Sequence, residues 1–329
     1  MSPTISDVAN AAGVSTATVS RALSGSPRVA PDTMEKVLAS VAELGYQPSA
    51  IARSLRQQKT TVLGVIVTDI TNPFYGELVL GAEEAALDMG LSVLLCNAAG
   101  DSEREAQYLD VLAEQRVGGV IVASEILSQR YRERLADFPV PVVLVNTKHD
   151  GAPIPSVTSD NRRGGQLAAQ HLVDQGYPSV AAILGPTYAD GRPLRVVGIR
   201  DVVDGDRLVT EAGTGDMEGG RRAMERLARR ISPPFGLVCH NDLTAIGAMS
   251  VLRKRGWRVP EDVGVVGFDD IPISAYVDPP LTTVAQDMYA LGARAVDALH
   301  RISPSDGADF EEILEVRLVV RESSIRGGS

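Results

Sequence analysis

Apolar residues in the first 46 positions recur at the spacing of an α-helix in three short groups. The first covers about residues 5–12, the second residues 16–23 and the third residues 32–44. Gly13 separates the first two. Two short helices joined by a three- or four-residue turn with glycine form a helix-turn-helix. The pattern therefore predicts a three-helix head over residues 1–46 that carries this motif, although a purely structural helical hairpin would show the same spacing.

The second of these helices turns its apolar residues to one side and leaves the other side polar. In a helix-turn-helix, the amino-terminal residues of this helix enter the major groove of DNA. Thr16, Ala17 and Arg21 point outward and are expected to contact base edges, and arginine suits bidentate bonding to guanine. The surrounding hydroxyl residues are expected to contact phosphates or to cap helices: Thr4, Ser15, Thr18 and Ser20.

Residues 47–59 combine a helix breaker with a short basic segment. Pro48 ends the preceding helix, and Ala52 and Leu55 then share one narrow apolar face of a helix of about two turns. A helix this short is marginal in water without a packing partner. We therefore predict a hinge helix that becomes ordered on a partner, and an ordinary interdomain linker is the alternative.

From residue 61 onward, short apolar segments of strand length alternate with amphipathic helical segments. This alternation predicts parallel sheets with helices on both faces, and two such sets predict two Rossmann-like lobes. The predicted strands are residues 62–67, 92–96, 119–122, 142–145, 180–184, 208–211, 236–239, 263–267 and 313–320. The predicted helices are residues 75–89, 102–115, 128–137, 162–175, 192–203, 218–230, 243–255 and 288–302.

The two lobes are expected to exchange segments of chain near the carboxyl terminus. Helix 288–302 is placed on the first lobe and the last residues on the second. The α/β core then covers residues 60–329. Lobe one takes about residues 60–158 and 286–314, and lobe two takes about residues 159–285 and 315–326.

Polar and aromatic residues follow several of the predicted strands. Ligands of open α/β sheets bind beyond the carboxyl ends of the strands, so we expect these residues to line one cleft between the lobes. Carboxylates, amides and guanidinium groups can hold hydroxyls, and aromatic faces can stack on a sugar ring. The candidate effector-binding residues are Asp69, Phe74, Tyr75, Asn146, Arg195, Asn241 and Asp269. The alternative for Arg195 and Asp269 is that they only pair with each other.

Composition and charge narrow the class of protein. The chain has 329 residues, of which 44% are hydrophobic and 22% charged, as in a globular protein of two or three domains. It shows no membrane-length apolar run and no signal-peptide pattern, so a cytoplasmic protein without a membrane partner is expected. The net charge is −10, but residues 1–60 contain six basic and four acidic residues. Only the head is therefore expected to meet a polyanion such as DNA.

The sequence offers little support for an enzyme. A nucleophile elbow and a P-loop are absent, and Glu218 breaks the glycine pattern of a dinucleotide-binding loop that begins at Gly213. The four histidines and two cysteines lack metal-ligand spacing, which argues against zinc and for a reducing compartment. His240 could be catalytic, but a cleft-lining or packed histidine is the simpler interpretation. We predict no catalytic residue, metal or cofactor.

Several segments occur together in an order typical of one family. They are Ile5-Ser6-Asp7-Val8-Ala9, Gly13-Val14-Ser15, Thr18-Val19-Ser20-Arg21, Ala52-Arg53-Ser54-Leu55, Asp69-Ile70-Thr71-Asn72-Pro73-Phe74, Asp160-Asn161 with Gly164, Arg195-Val196-Val197-Gly198, Asn241-Asp242, Val265-Val266-Gly267-Phe268-Asp269-Asp270 and Pro280-Leu281-Thr282-Thr283. The chain closely resembles the lactose/galactose repressor (LacI/GalR) family. The resemblance adds Asp160 to the candidate effector-binding residues.

The resemblance implies a periplasmic-binding-protein-like core that forms a homodimer, and operator binding controlled by a small effector, a sugar most often or a nucleobase. Two hinge helices would then meet at the centre of a near-palindromic operator, where Leu55 would enter the minor groove and Ala52 would allow close approach. The chain departs from the family pattern at residues 187–191, 204–206 and 213–218, so the effector is not specified. A tetramer is not expected, because a leucine-heptad tail is missing. A sugar-binding protein of a transport system is the alternative function for the core.

Overall fold

The computed structural model describes residues 3–23, 26, 28–46, 61–124, 127–147, 154–186, 194–302 and 310–326. The chain divides into two compact units, Met1–Thr60 and Thr61–Ser329, and we describe each by itself. The predicted hinge helix, with Ala52 and Leu55, lies outside the described residues, as does the segment 187–191.

The first unit contains the three predicted helices, α1 (Ile5–Ala12), α2 (Thr16–Leu23) and α3 (Pro31–Leu44). The Thr4 hydroxyl accepts a hydrogen bond from the Asp7 amide, and the Asp7 carboxylate accepts one from the Thr4 amide, which together form a capping box. One fully buried valine from each helix meets in a small core: Val8, Val19 and Val37. The prediction of a helix-turn-helix head is confirmed.

The second unit contains two six-stranded sheets that are mostly parallel. The first sheet holds β1 (Val62–Val67), β2 (Ser92–Asn97), β3 (Val120–Ala123), β4 (Val142–Val145), β5 (Ser156–Ser159) and β11 (Glu311–Leu314), in the order β11-β5-β4-β3-β1-β2. The second sheet holds β6 (Val180–Leu184), β7 (Leu208–Ala212), β8 (Phe235–Cys239), β9 (Val263–Asp269), β10 (Thr282–Ala285) and β12 (Arg317–Val319), in the order β12-β10-β9-β8-β6-β7. Two Rossmann-like lobes are confirmed.

Eight helices of the described chain cover the faces of these sheets. The first lobe carries α4 (Pro73–Asp88), α5 (Ser102–Glu114), α6 (Gln129–Ala136) and α11 (Met288–Arg301). The second lobe carries α7 (Asn161–Asp174), α8 (Leu194–Arg200), α9 (Met217–Leu227) and α10 (Asp242–Lys254). Leu291 and Val296 of α11 pack in the same core as Val65 of β1, which places this late helix on the first sheet.

The sequence pattern misses two strands and merges two others. β5 and β10 read Ser-Val-Thr-Ser and Thr-Thr-Val-Ala, so they lack the apolar runs that mark the other strands, yet both are buried. The single strand predicted over residues 313–320 is wrong. β11 pairs in parallel with β5 of the first sheet, and β12 pairs antiparallel with β10 of the second. The chain crosses between the sheets within this segment, so one continuous strand does not form there.

Candidate functional site

A cavity of about 440 Å³ lies between the two lobes and draws its lining from both. It is bordered by the carboxyl ends of several parallel strands, where ligands of α/β sheets bind. Five of the predicted effector-binding residues line it: Phe74, Tyr75, Asn146, Arg195 and Asp269. The cavity therefore collects side chains that lie up to about two hundred residues apart in sequence, as expected where strand ends of two lobes meet.

An aromatic pair forms part of the first-lobe wall. Phe74 and Tyr75 open helix α4, whose amino terminus is capped by the Asn72 side chain through a 3.1 Å bond from the Phe74 amide. Their rings are perpendicular, with centroids 5.1 Å apart. This edge-to-face arrangement is a favourable one for two aromatic rings, so each ring helps to hold the other in place.

Arg195 forms the second-lobe wall and is held in a fixed orientation. Its Nε donates to the Asn161 side chain at 2.7 Å, and its Nη1 donates to the carbonyl oxygen of His240. The guanidinium plane lies over the Phe268 ring, 3.7 Å from the centroid. A guanidinium held in this way keeps its donors in place for a ligand hydroxyl or ring edge.

Asp269 ends strand β9 and is almost fully buried. Its φ angle is 111°, a backbone region that costs energy for a residue with a side chain and that occurs often at functional sites. Burial raises the pKa of its carboxyl to about 7, against the opposing effect of Arg195. Its Oδ1 accepts from Gln286 at 2.6 Å, so in the described contacts Asp269 and Arg195 have different partners and do not form the simple pair considered above.

A chain of side-chain amides joins the two lobes at the floor of the cavity. Gln286, just after β10, donates to Asp269 and accepts from the Asn146 amide at 3.0 Å. Asn146, just after β4, in turn accepts from the Ser159 backbone amide at 2.9 Å. Gln286 was not predicted, because the strand that precedes it was itself not recognised.

Three predicted effector-binding residues are not among the described lining of the cavity, and each has a local structural role. Asp69 accepts from the Thr71 amide and hydroxyl in a tight turn. Asp160 caps α7 through the Arg163 amide, and Asn241 caps α10 through the Thr244 amide. Asp and Asn have short side chains with oxygens that accept hydrogen bonds. These oxygens can cap a helix, and they can also bind a ligand. Position after a strand cannot separate the two roles.

Further polar residues line the cavity beyond the predicted set. Arg132, on α6, is nearly buried and donates from Nε to the Leu127 carbonyl at 3.0 Å. A charged residue in a polar helix is expected to be exposed, so no sequence signal pointed to it. Ser124, which directly follows β3, donates to the buried carboxyl of Glu105 at 2.5 Å. The remaining polar lining is contributed by Thr147, Thr158, Asn161 and His240.

In the head, the predicted DNA-contacting residues divide into exposed and capping groups. Thr16, Ala17 and Arg21 are exposed on α2, opposite the buried Val19 and Ala22. Thr4 caps α1, and the Ser15 hydroxyl accepts from the Thr18 amide at 3.1 Å and bonds to the Thr18 hydroxyl. Ser20 is half-buried.

The described residues lack the features of a metal site or a membrane span. They contain no group of three or more His, Cys, Asp or Glu side chains placed to hold a metal ion. Within the same residues, every helix is too short or too polar to cross a membrane.

Two family models match the chain: "Bacterial regulatory proteins, lacI family" over residues 4–49, and "Periplasmic binding proteins and sugar binding domain of LacI family" over residues 60–318. The ribose operon repressor of Escherichia coli (strain K12) is 37% identical over 91% of this chain and 93% of its own length. The HTH-type transcriptional repressor PurR of Haemophilus influenzae (strain PittEE) is 36% identical over 97% of this chain and 98% of its own.

Solved structures show the same relationship. The Lac repressor dimer bound to operator and an anti-inducer matches with a TM-score of 0.85 and 29% identity, over 99% of this chain and all of that one. A LacI family regulator from Enterococcus faecium with bound ribose matches with a TM-score of 0.69 and 30% identity, over 80% of this chain and 98% of that one. By its head, its two-lobe core and these relatives, the chain belongs to the LacI family of bacterial regulatory proteins.

Proposed function

We propose that this protein is a transcriptional repressor that binds a near-palindromic operator as a homodimer and is controlled by a small effector in the interlobe cavity. The observation that carries the proposal is the cavity itself, whose polar and aromatic walls come from both lobes of one chain that also carries a helix-turn-helix. Its relatives are repressors, and we infer that it acts in the cytoplasm without catalysing a reaction.

The chemistry of the cavity favours a polyhydroxylated ring as effector, and we propose a pentose such as D-ribose. Fixed donors on Arg195 and acceptor oxygens on Asp269 can hold neighbouring hydroxyls, while Phe74 and Tyr75 offer ring faces. The ribose-bound relative and the ribose operon repressor support the pentose. A purine is the second candidate, because the same groups can hold the edge of a base.

Control of DNA binding follows from the position of the site. An effector that contacts both walls can favour one closure angle of the lobes, but only by as much as its affinity differs between the two arrangements. Such couplings are typically about 1–3 kcal/mol. We propose that closure changes the spacing of the two heads on the operator.

The first test compares two aspartates, one inside the cavity and one outside it. We expect saturating D-ribose, at about 100 times its Kd, to stabilise the wild-type protein by about 2.7 kcal/mol in a thermal-shift measurement and to change operator binding in a gel shift. Asp269→Ala should lose both responses and keep operator affinity without sugar. Asp69→Ala, whose side chain only closes a turn, should respond like wild type.

Several results would contradict the proposal. A response of Asp269→Ala at unchanged sugar concentration would show that the effector binds elsewhere. A response to hypoxanthine or guanine but not to pentoses would select the purine. Failure to retain any fragment of genomic DNA, with sugar binding intact, would favour the transport-type binding protein.

A further inference from the structure

Ile271 belongs to the second lobe by its backbone and to the first lobe by its side chain. It follows β9 by two residues and is 1% exposed. Its side chain lies in a hydrophobic cluster of which every other buried member belongs to the first lobe, on its strands or on α4 and α11. Leu243 of α10, partly buried, is the second-lobe residue that packs against the same cluster.

The backbone of Ile271 is tied to the second lobe on both sides. Its amide donates to the Asp242 carboxylate at 2.9 Å, and its carbonyl oxygen accepts from the amide of Ser274 at 2.9 Å and from the hydroxyl of the same residue at 2.6 Å. The Asp242 carboxylate also accepts from the Thr283 hydroxyl at 2.5 Å. Since each of these groups is buried, the position of the Ile271 main chain follows the second lobe closely.

The first-lobe cluster includes the aromatic pair that lines the cavity. Phe74, Tyr75 and Met288 are its members at the amino ends of α4 and α11, and Phe74 and Tyr75 line the cavity. Ile271 therefore belongs to the same hydrophobic cluster as Phe74 and Tyr75.

The opposite wall of the cavity is connected to Ile271 through two residues. Asp269 and Asp270 both have positive φ angles, 111° and 63°, and Asp270 is paired with Arg321 at 2.7 Å. Two successive residues in sparsely populated conformations leave little freedom for the segment to absorb a displacement. A shift of Asp269 is therefore passed on to Ile271.

From this geometry we propose that Ile271 is a positioning residue that couples the two walls of the cavity, transmitting movement at Asp269 to the Phe74–Tyr75 pair. The inference rests on the proposed function of the cavity as the effector site. Ile271 does not line the cavity, and in this proposal it links Asp269 of the second lobe to the Phe74–Tyr75 pair of the first lobe.

The test that needs no ligand is hydrogen exchange of the full-length protein. We compare Ile271→Ala with Leu252→Ala, which removes the same number of carbons from a fully buried site inside the second lobe. Ile271→Ala should speed amide exchange several-fold in first-lobe peptides spanning residues 73–78 and 288–291, and Leu252→Ala should not. Unchanged exchange in those peptides, or the same increase in both variants, would overturn the inference. If Ile271→Ala does not fold, Ile271→Val must show a smaller effect of the same kind.

The second measurement uses D-ribose as the probe, by calorimetry. Ile271→Ala should bind it about tenfold more weakly than wild type, which corresponds to about 1.4 kcal/mol, and Leu252→Ala should bind it like wild type. Equal affinity in wild type and Ile271→Ala would count against the coupling. If wild-type protein does not bind D-ribose, the proposed pentose is wrong, and the exchange experiment still decides the role of Ile271.

Discussion

Glu105 is a carboxyl buried behind the cavity wall, and its titration gives a prediction at the scale of one residue. One of its oxygens accepts from Ser124, and the other has no hydrogen-bond partner among the described residues. Burial raises its pKa to about 7, with Asp101 adding to the rise. Because the unfolded carboxyl titrates near ~4.3, the folded state holds the proton more tightly, so stability is complete below that pH and declines as the pH rises through 7. Between pH 5 and pH 8, the urea midpoint should fall more in wild type than in Glu105→Gln.

The control for this prediction is Glu103→Gln, on the exposed side of the same helix, which should follow wild type at both pH values. Part of the fall in the urea midpoint should persist in Glu105→Gln, because burial also raises the pKa values of Asp242 and Asp269. Identical midpoint changes in wild type and Glu105→Gln would show that Glu105 is ionised in the folded protein throughout this range.

Helices α4 and α11 approach so closely that a glycine is required at their contact. A Cβ at Gly292 would overlap the backbone oxygen of Leu78, and backbone cannot move aside as a flexible side chain can. Gly292→Ala should therefore destabilise the core by about 1–3 kcal/mol, measured by urea unfolding. Gly76→Ala, on α4 in open space, is the matched control and should be neutral or stabilising through its helix propensity. Equal effects of the two changes would mean that the helices separate without cost.

For the whole molecule, the head and the dimer decide how DNA is read. Arg21 is exposed on α2 and is proposed to contact guanine, and a homodimer would present it once to each half-site. Arg21→Ala should cost about 1–3 kcal/mol per base contact and should relax the sequence preference at one position of each half-site. The measurement is binding to a selected operator and to random DNA in the same salt. Arg28→Ala, exposed in the head but off α2, is the control and should weaken both DNAs alike. If Arg21→Ala also weakened binding to both DNAs equally, Arg21 would contact a phosphate and not a base.

Much of this architecture follows from the sequence alone. The head helices have strong periodicity and clear caps at Thr4 and Gly13, and the apolar strands of both sheets are bounded by loops. Burial of one or both faces of a helix or strand determines the spacing of its apolar residues. The local pattern is therefore sufficient to predict these elements. The same pattern located strand ends, and with them Phe74, Tyr75, Asn146, Arg195 and Asp269.

The tertiary structure alone decided what those strand-end residues contact. It placed Asp69 in a turn and made helix caps of Asp160 and Asn241. It also brought Gln286 and Arg132 to the cavity, divided the last predicted strand between two sheets, and placed Ile271 in the core of the opposite lobe. The local sequence shows which side chains are buried and at what spacing these buried positions recur. The local sequence does not show which distant segment covers a buried side chain, because the packing of the whole chain determines that partner.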